Sequence, residues 1–75
     1  MSIVEVKSEL AGIVCAIDVE VGSEVDPRTT VLIVEAMKME FGVEPPTSGV
    51  IDEILVKVGD AVVEGTPLAR IRVGG

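Results

Sequence analysis

The sequence predicts an all-β protein made of two similar halves packed around one small core. Three observations support this prediction: a β-branched composition, closely spaced glycines and prolines, and an internal repeat. The 75 residues include fifteen Val, seven Ile and four Leu, but one Phe and no Trp, Tyr or His. Val and Ile favour strands because their branched side chains pack well on a pleated surface. A chain of this length has room for one small domain, predicted over residues 1–75.

The spacing of glycine and proline favours short strands over helices. These residues recur every few positions and leave intervals too short for an ordinary amphipathic helix. Within the intervals, apolar residues alternate with polar ones, which is typical of strands. The predicted strands lie at about 3–7, 13–19, 24–26, 31–35, 39–44, 50–57, 61–63 and 68–73.

An internal repeat relates the two halves of the chain. A shift of 37 positions superposes seven identical residues within the 24 positions from 12 to 35. The identical pairs are Gly12/Gly49, Ile17/Ile54, Val19/Val56, Val21/Val58, Gly22/Gly59, Val25/Val62 and Thr29/Thr66. We predict repeat units at about 2–36 and 39–73, which pack face to face because neither has enough apolar surface to fold alone.

The alternation within each unit predicts which side chains are buried. Ile17, Val19 and Val21 alternate with charged residues, and Val58 takes the position of Val21 in the second unit. Successive strand side chains point to opposite faces, so we expect these apolar side chains to share one buried face. Gly22 follows this segment, where a tight turn favours a residue free to adopt positive φ.

The composition argues against several classes of function. Six Lys and Arg against thirteen Asp and Glu, without a basic cluster, predict no nucleic-acid partner. The longest apolar run, Ile13 to Ile17, has five residues, so we expect no membrane span or secretory signal. Cys15 is the only cysteine, which predicts no disulfide framework or Cys/His metal site and fits a cytoplasmic setting. No Ser/His/Asp or Cys/His set and no clustered carboxylate pair is present, so we expect no catalytic residues.

The junction between the repeats carries the most informative residues. The shift of 37 places the start of the second unit near Lys38, which lies between Met37 and Met39. A pseudo-twofold axis would make this junction a hairpin tip far from the chain ends. Methionine is frequent on surfaces that fit a partner, so two methionines at an exposed tip indicate recognition. In the alternative interpretation, both methionines fold back onto the core and Lys38 is a solvated surface lysine.

Residues 35–40, with the sequence EAMKME, resemble the attachment sequence of biotinyl domains, the carrier modules of biotin-dependent carboxylases. The similarity extends over almost the whole chain, through the glycine and valine patterns from Gly12 to Val25 and from Gly49 to Leu68. The resemblance implies an all-β fold: a flattened barrel or sandwich of two four-stranded antiparallel sheets with a pseudo-twofold repeat, known as a barrel-sandwich hybrid. That fold agrees with the repeat found above.

The resemblance also implies a site and a function. Lys38 matches the lysine that carries covalent biotin, and Met37 and Met39 match the methionines that favour modification by biotin protein ligase. Ala36, Glu35 and Glu40 complete the implied ligase-recognition segment. The implied function is a non-catalytic biotin carboxyl carrier, of the acyl-CoA carboxylase type, that moves a carboxyl group between biotin carboxylase and carboxyltransferase. Both a free-standing carrier subunit and a domain of a larger carboxylase fit the sequence.

Two other functions stay open at this stage. Lipoyl domains of 2-oxo acid dehydrogenase complexes resemble biotinyl domains in fold and are also modified on a hairpin lysine, but usually have Asp before that lysine and Ala after it. Here those positions hold Met37 and Met39. The second alternative is an unmodified β-barrel binding module, which leaves the two methionines unexplained. The acceptor of the carboxyl group is recognised by another component, so these residues do not identify it.

Overall fold

The computed structural model describes residues 2–74, so the first and last residues of the predicted 1–75 domain lie outside the described range. Residues 2–74 form eight strands: β1 (Ser2–Lys7), β2 (Gly12–Ile17), β3 (Glu24–Val25), β4 (Leu32–Ala36), β5 (Met39–Val43), β6 (Gly49–Ile54), β7 (Ala61–Val62) and β8 (Pro67–Val73). Each predicted strand is present, which confirms the all-β prediction. Among the described residues, no helix has the length and apolar character needed to cross a membrane.

The strands form two four-stranded antiparallel sheets, as the resemblance implied. One sheet has the strand order β1-β8-β6-β3 and the other has the order β5-β4-β2-β7. The 37-residue shift places β1 on β5, β2 on β6, β3 on β7 and β4 on β8, and so converts the first order into the second. Each sheet therefore contains strands from both repeat units, and the units are held together by strand pairing as well as by the core.

Matching irregularities occur in both units. The pairing of β2 with β4 shifts register at Cys15, and the pairing of β6 with β8 shifts at Asp52, its repeat mate. A β-bulge of this kind bends the strand and increases its twist. The two sheets thus curve at equivalent places, which allows them to close on each other as a flattened barrel.

Glycine turns connect the two units at equivalent positions. Gly22 and Gly59 have φ values of 96° and 100°, in the left-handed region that side chains disfavour. The Gly22 N–H donates to the Ile51 carbonyl at 2.8 Å, and the Gly59 N–H donates to the Val14 carbonyl at 2.8 Å. Each turn after a central strand of one unit is therefore fixed to the central strand of the other.

The core lies between the sheets and draws on both units. Among residues 2–74 it has twelve buried apolar residues, which include Leu32 of β4, Ile51 of β6, and Leu68 and Ile71 of β8, all fully buried. Full burial of such a side chain contributes roughly 1.5–3 kcal/mol. The core consists of small aliphatic side chains, and it supports the strands that position the β4–β5 hairpin.

The prediction that Val21 and Val58 share the buried face is wrong. Their side chains are 63% and 61% exposed. Strand β2 ends at Ile17, and the Asp18 N–H already donates to the Val31 carbonyl at 2.9 Å. The chain then leaves the sheet. The alternation of apolar and charged residues continues in the sequence, but it no longer determines which side chains are buried, because the strand has ended.

The twofold relation fixes where the β4–β5 hairpin lies. Its outermost pair, Ala36 opposite Met39, has as its repeat mate the outermost pair of β1 and β8, Val73 opposite Ser2. The hairpin tip and the described chain ends therefore occupy equivalent positions on opposite sides of the pseudo-twofold axis. One position holds a continuous turn and the other holds the paired residues Ser2 and Val73, near the two limits of the described range.

Candidate functional site

The β4–β5 hairpin turns through two residues, Met37 and Lys38. Both have positive φ, 53° and 65°, and they are the positive-φ residues other than glycine among residues 2–74. Positive φ at both central residues is the type I′ arrangement, which matches the twist of the flanking strands and favours Asn-Gly. A left-handed conformation costs a residue with a side chain roughly 1–2 kcal/mol. Met37 and Lys38 therefore occupy two positions at which Asn and Gly would adopt the backbone conformation at lower energy.

The side chains at the tip extend into solvent. Met37 is 91% exposed and Met39 is 59% exposed, and Lys38 between them is also exposed. The alternative in which both methionines fold back onto the core is therefore wrong. Two exposed thioether side chains beside an exposed amine form an apolar, adaptable contact surface around that amine.

The other segment residues lie on opposite faces of the hairpin. Glu35 lies opposite Glu40, and Ala36 lies opposite Met39. Because side chains alternate along a strand, the two glutamates share the outer face of the sheet and the Ala36/Met39 pair shares the other. The structure thus brings all six residues of the segment 35–40 together at one hairpin tip, with carboxylates on one side and apolar groups on the other.

Gly12 supports the hairpin from the neighbouring strand, a contact that sequence analysis did not assign to the site. A Cβ at this position would collide with the backbone carbonyl oxygen of Glu35. Its mate Gly49 meets the carbonyl oxygen of Arg72 in the same way. The signal was available, since Gly12 and Gly49 are one of the identical pairs of the repeat.

Two adjoining depressions lie beside the tip. The first, of about 560 Å³, has Lys38 itself in its wall, together with Gly12, Ile13 and Glu35. The second, of about 390 Å³, is walled by apolar side chains that include Leu10 and Phe41. Both share Ala11, Ala36 and Met37. Phe41 of strand β5 is 38% exposed and lines the second depression.

Cys15 lies at the bulge of β2, close to the hairpin strands. Partial burial raises the pKa of its thiol above the ordinary value of 9.0, and the carboxylates of Glu40 and Glu35 raise it further. A thiol held in its neutral form is a weak nucleophile. Partial burial and the hairpin carboxylates thus favour the neutral form of the Cys15 thiol.

The exposed lysine on its rigid turn is a group suited to covalent modification. Residues 4–71 match the biotin/lipoyl family model, which is described as "Biotin-requiring enzyme". The chain belongs to the biotin/lipoyl attachment family. The family match spans the core strands of both repeat units, and it confirms the resemblance that residues 35–40 carry.

Curated relatives of this biotin/lipoyl domain include carboxylase components. It is 43% identical over 63 residues to the mitochondrial methylcrotonoyl-CoA carboxylase subunit alpha of Arabidopsis thaliana, covering 84% of this chain and 9% of the relative. It is 44% identical over 57 residues to the biotin carboxyl carrier protein of acetyl-CoA carboxylase from Nostoc sp., covering 76% of this chain and 31% of the relative. A third relative, the dihydrolipoyllysine-residue acetyltransferase component of the pyruvate dehydrogenase complex of Haemophilus influenzae, is 40% identical over 57 residues, covering 76% of this chain and 10% of the relative. The chain therefore spans less than a third of the length of these three relatives.

Solved structures agree with the fold. The crystal structure of Kluyveromyces lactis urea carboxylase superposes with a TM-score of 0.89 at 35% identity, covering 96% of this chain and 6% of that one. The lipoyl domain of the 2-oxoglutarate dehydrogenase complex of Azotobacter vinelandii has a TM-score of 0.72 at 24% identity, covering 93% of this chain and 99% of that one. The predicted barrel-sandwich fold is confirmed, and the fold is common to biotin and lipoyl carriers.

Proposed function

We propose that this domain carries biotin on Lys38 and acts as the biotin carboxyl carrier of a biotin-dependent carboxylase. The observation that carries the proposal is the placement of Lys38 at an exposed two-residue turn between two exposed methionines. The family description and the carboxylase relatives support biotin as the covalent cofactor. The strained type I′ turn adds support, because a sequence free of functional demands would favour Asn-Gly there.

The residues around Lys38 fit the attachment reaction. A lysine amine is protonated at neutral pH, so it becomes a nucleophile only after a base removes a proton. In our proposal, biotin protein ligase supplies that base and a biotinyl-adenylate formed from biotin and ATP. The Lys38 amine nitrogen attacks the acyl carbon, the amide bond forms, the acyl–phosphate bond breaks and AMP leaves. The lysine loses its positive charge, so the formal net charge changes from −7 to −8.

The carrier role follows from position and tethering. Bound biotin supplies a ureido nitrogen that accepts and releases a carboxyl group. The domain contributes a rigid base for a flexible arm, since the arm begins at a hairpin whose strands pack on the core. A short tether gives a group an effective concentration in the millimolar range at any site it can reach. The arm can thus visit two active sites in turn without tight binding at either.

We propose biotin carboxylase and carboxyltransferase as the two partners, and an acyl-CoA as the acceptor. The acyl-CoA acceptor is supported by relatives named for methylcrotonoyl-CoA and acetyl-CoA carboxylases. The carrier itself supplies no residue that selects this acceptor. In our proposal the carboxyltransferase selects the acyl-CoA acceptor, and the two partner enzymes catalyse the carboxylation and transfer reactions.

Lipoylation is the second candidate, favoured by the relative named as a dihydrolipoyllysine-residue acetyltransferase component. The residues beside Lys38 favour biotin, because Met37 and Met39 stand where lipoyl domains usually have Asp and Ala. Both methionines are exposed and so are available to a ligase that distinguishes the two motifs.

A parallel ligation experiment separates these candidates. The chain is incubated with biotin, ATP and a biotin protein ligase, or with lipoate, ATP and a lipoate protein ligase, and its intact mass is measured. We expect a gain equal to biotin less water in the first reaction and no change in the second. Lipoylation without biotinylation would overturn the proposal, and modification by neither would favour an unmodified binding module.

A further inference from the structure

The single aromatic residue of the chain lies in strand β5 of the hairpin and is partly exposed. Phe41 is 38% exposed and forms one wall of the depression of about 390 Å³. The remaining walls are Leu10, Ala11, Ala36 and Met37, all apolar. We call this depression the Phe41 cleft. Concave sites lined by apolar and aromatic side chains are typical binding sites for small organic groups.

The apolar character of the Phe41 cleft is particular to the hairpin end of the molecule. The 37-residue shift places Leu10 and Ala11 on Thr47 and Ser48, and Phe41 on Val4. The equivalent position at the other end of the molecule thus has two hydroxyl residues and a smaller aliphatic one. Because both ends have the same backbone plan, the fold does not dictate the difference. The apolar cleft is a feature of the end that carries Lys38.

Hydrogen bonds hold the wall formed by the β1–β2 loop in place. Ser8 is 3% exposed, and its hydroxyl donates to the Leu10 carbonyl at 2.6 Å. Its backbone N–H donates to the Thr66 carbonyl at 2.9 Å, and its carbonyl accepts from the Gly65 N–H at 2.8 Å. The segment that presents Leu10 is thus fixed to the loop before β8. A wall held in this way is formed before a ligand arrives, which reduces the ordering cost of binding.

The Phe41 cleft is continuous with the attachment site. The adjoining depression of about 560 Å³ includes Lys38 in its wall and shares Ala11, Ala36 and Met37 with the cleft. A group attached to Lys38 therefore starts at the rim of a path that leads to Phe41. We propose that the Phe41 cleft is a resting site for the apolar part of the biotinyl group on Lys38. This inference rests on the proposed function.

The chemistry of the biotinyl group fits the walls of the cleft. Its aliphatic chain and the thioether side of its fused ring are apolar, and a thioether sulfur makes favourable contacts with an aromatic edge such as that of Phe41. In this pose the polar ureido group stays toward solvent. Tethering provides an effective concentration of the biotinyl group in the millimolar range. If the dissociation constant between this group and the cleft is of similar size, about half of the arms are docked. Such weak docking leaves the arm free to enter a partner.

NMR of the biotinylated chain tests the inference directly. Attachment is first established by mass, so failure of Lys38 to take biotin counts against the proposed function and this inference together. We expect nuclear Overhauser contacts between biotin ring protons and the Phe41 ring or Leu10 methyl groups. A chain acetylated on Lys38 controls for loss of the charge, and it should leave the Leu10 and Phe41 resonances unshifted. Shifts confined to residues 37–39, without contacts to Phe41, would overturn the inference.

Capture by streptavidin gives an independent kinetic readout. Phe41→Val installs the residue of the repeat mate, and we expect it to raise the capture rate about twofold if half of the arms are docked. Val63→Ala removes an exposed side chain outside the cleft and should leave the rate unchanged. Equal capture rates for the biotinylated chain and biotinylated Phe41→Val would contradict the inference. So would a Phe41→Val chain that only reacts more slowly with the ligase, because the cleft would then be a ligase contact.

Discussion

Glu35 lies directly opposite Glu40 across the β4–β5 hairpin, on the exposed face of the sheet. Their repeat mates are Arg72 and Ile3, which lie opposite each other on the other sheet. Arg72 also approaches Asp52, with 3.1 Å between the guanidinium Nε and a carboxylate oxygen. Within residues 2–74, each of the four ion pairs lies on the sheet that contains Arg72. The hairpin that carries Lys38 therefore keeps two like charges side by side.

Removal of one of these charges should stabilise the chain. Like charges directly opposite on a sheet destabilise it, and cross-strand pairs contribute roughly 0.2–1 kcal/mol. We expect Glu40→Gln to raise the free energy of unfolding in urea by a similar amount at low salt and by less at 1 M salt, where charges are screened. Glu64→Gln, at an exposed loop position, is the control and should have little effect. A Glu40→Gln gain that persists at high salt would contradict an electrostatic cause.

The pKa of the Cys15 thiol should depend on the carboxylates of Glu35 and Glu40. Partial burial, Glu40 and Glu35 raise its pKa above 9.0, so at that pH the folded chain holds less thiolate than the unfolded chain. The resulting stability is present below pH about 9 and is lost as the pH rises through the folded-state pKa. We expect iodoacetamide to react with the native chain at a midpoint above 9.0, and Glu40→Gln to lower that midpoint. An unchanged midpoint in the variant would show that Glu40 has no influence on the thiol.

Gly12→Ala and Gly49→Ala form a matched pair that separates stability from function. A Cβ at either position collides with a backbone carbonyl, that of Glu35 or that of Arg72. Overpacking of this kind costs typically about 1–3 kcal/mol. We expect both variants to unfold at lower urea concentration, but only Gly12→Ala to slow biotinylation, because Glu35 lies on the strand that leads into the Lys38 turn. Equal slowing by both variants would indicate a general loss of folded protein instead.

The strained turn predicts opposite effects on stability and modification. Met37 has a φ of 53°, and Gly adopts such values without the steric cost. We expect Met37→Gly to raise the free energy of unfolding by about 1 kcal/mol while it slows biotinylation, since the exposed methionine is lost. Met39→Gln, in the strand after the turn, should slow biotinylation and change stability by no more than about 0.5 kcal/mol. If Met37→Gly is biotinylated as fast as the original chain, the ligase does not recognise Met37.

Much of the fold was predictable because the repeat is visible in the sequence as identical residues 37 positions apart. The pairs Gly12/Gly49 and Gly22/Gly59 recur where the backbone has a special requirement, either close approach to a carbonyl or positive φ. The exposed hairpin at Lys38 followed from the position of the repeat junction. These features are local or periodic, so a single sequence carries them.

Other features depend on contacts between distant residues. The burial prediction for Val21 is wrong because β2 ends at Ile17, where backbone bonding to the segment before β4 begins. The Phe41 cleft joins the β1–β2 loop to the β4–β5 hairpin, and no sequence spacing shows that Leu10 and Phe41 share a depression. Contacts between residues far apart in the sequence determine the burial and the neighbours of such residues.

Peptide mapping of the ligase product tests the central claim most directly. The chain, Lys38→Arg and the control Lys57→Arg are each incubated with biotin, ATP and a biotin protein ligase, digested and analysed by mass spectrometry. Lys57 is also exposed, and it belongs to the segment after β6, outside the hairpin. The account predicts biotin on the peptide that contains Lys38 in the chain and in Lys57→Arg, and an unmodified but folded Lys38→Arg. Biotin retained by folded Lys38→Arg would contradict the assignment of Lys38 as the attachment site.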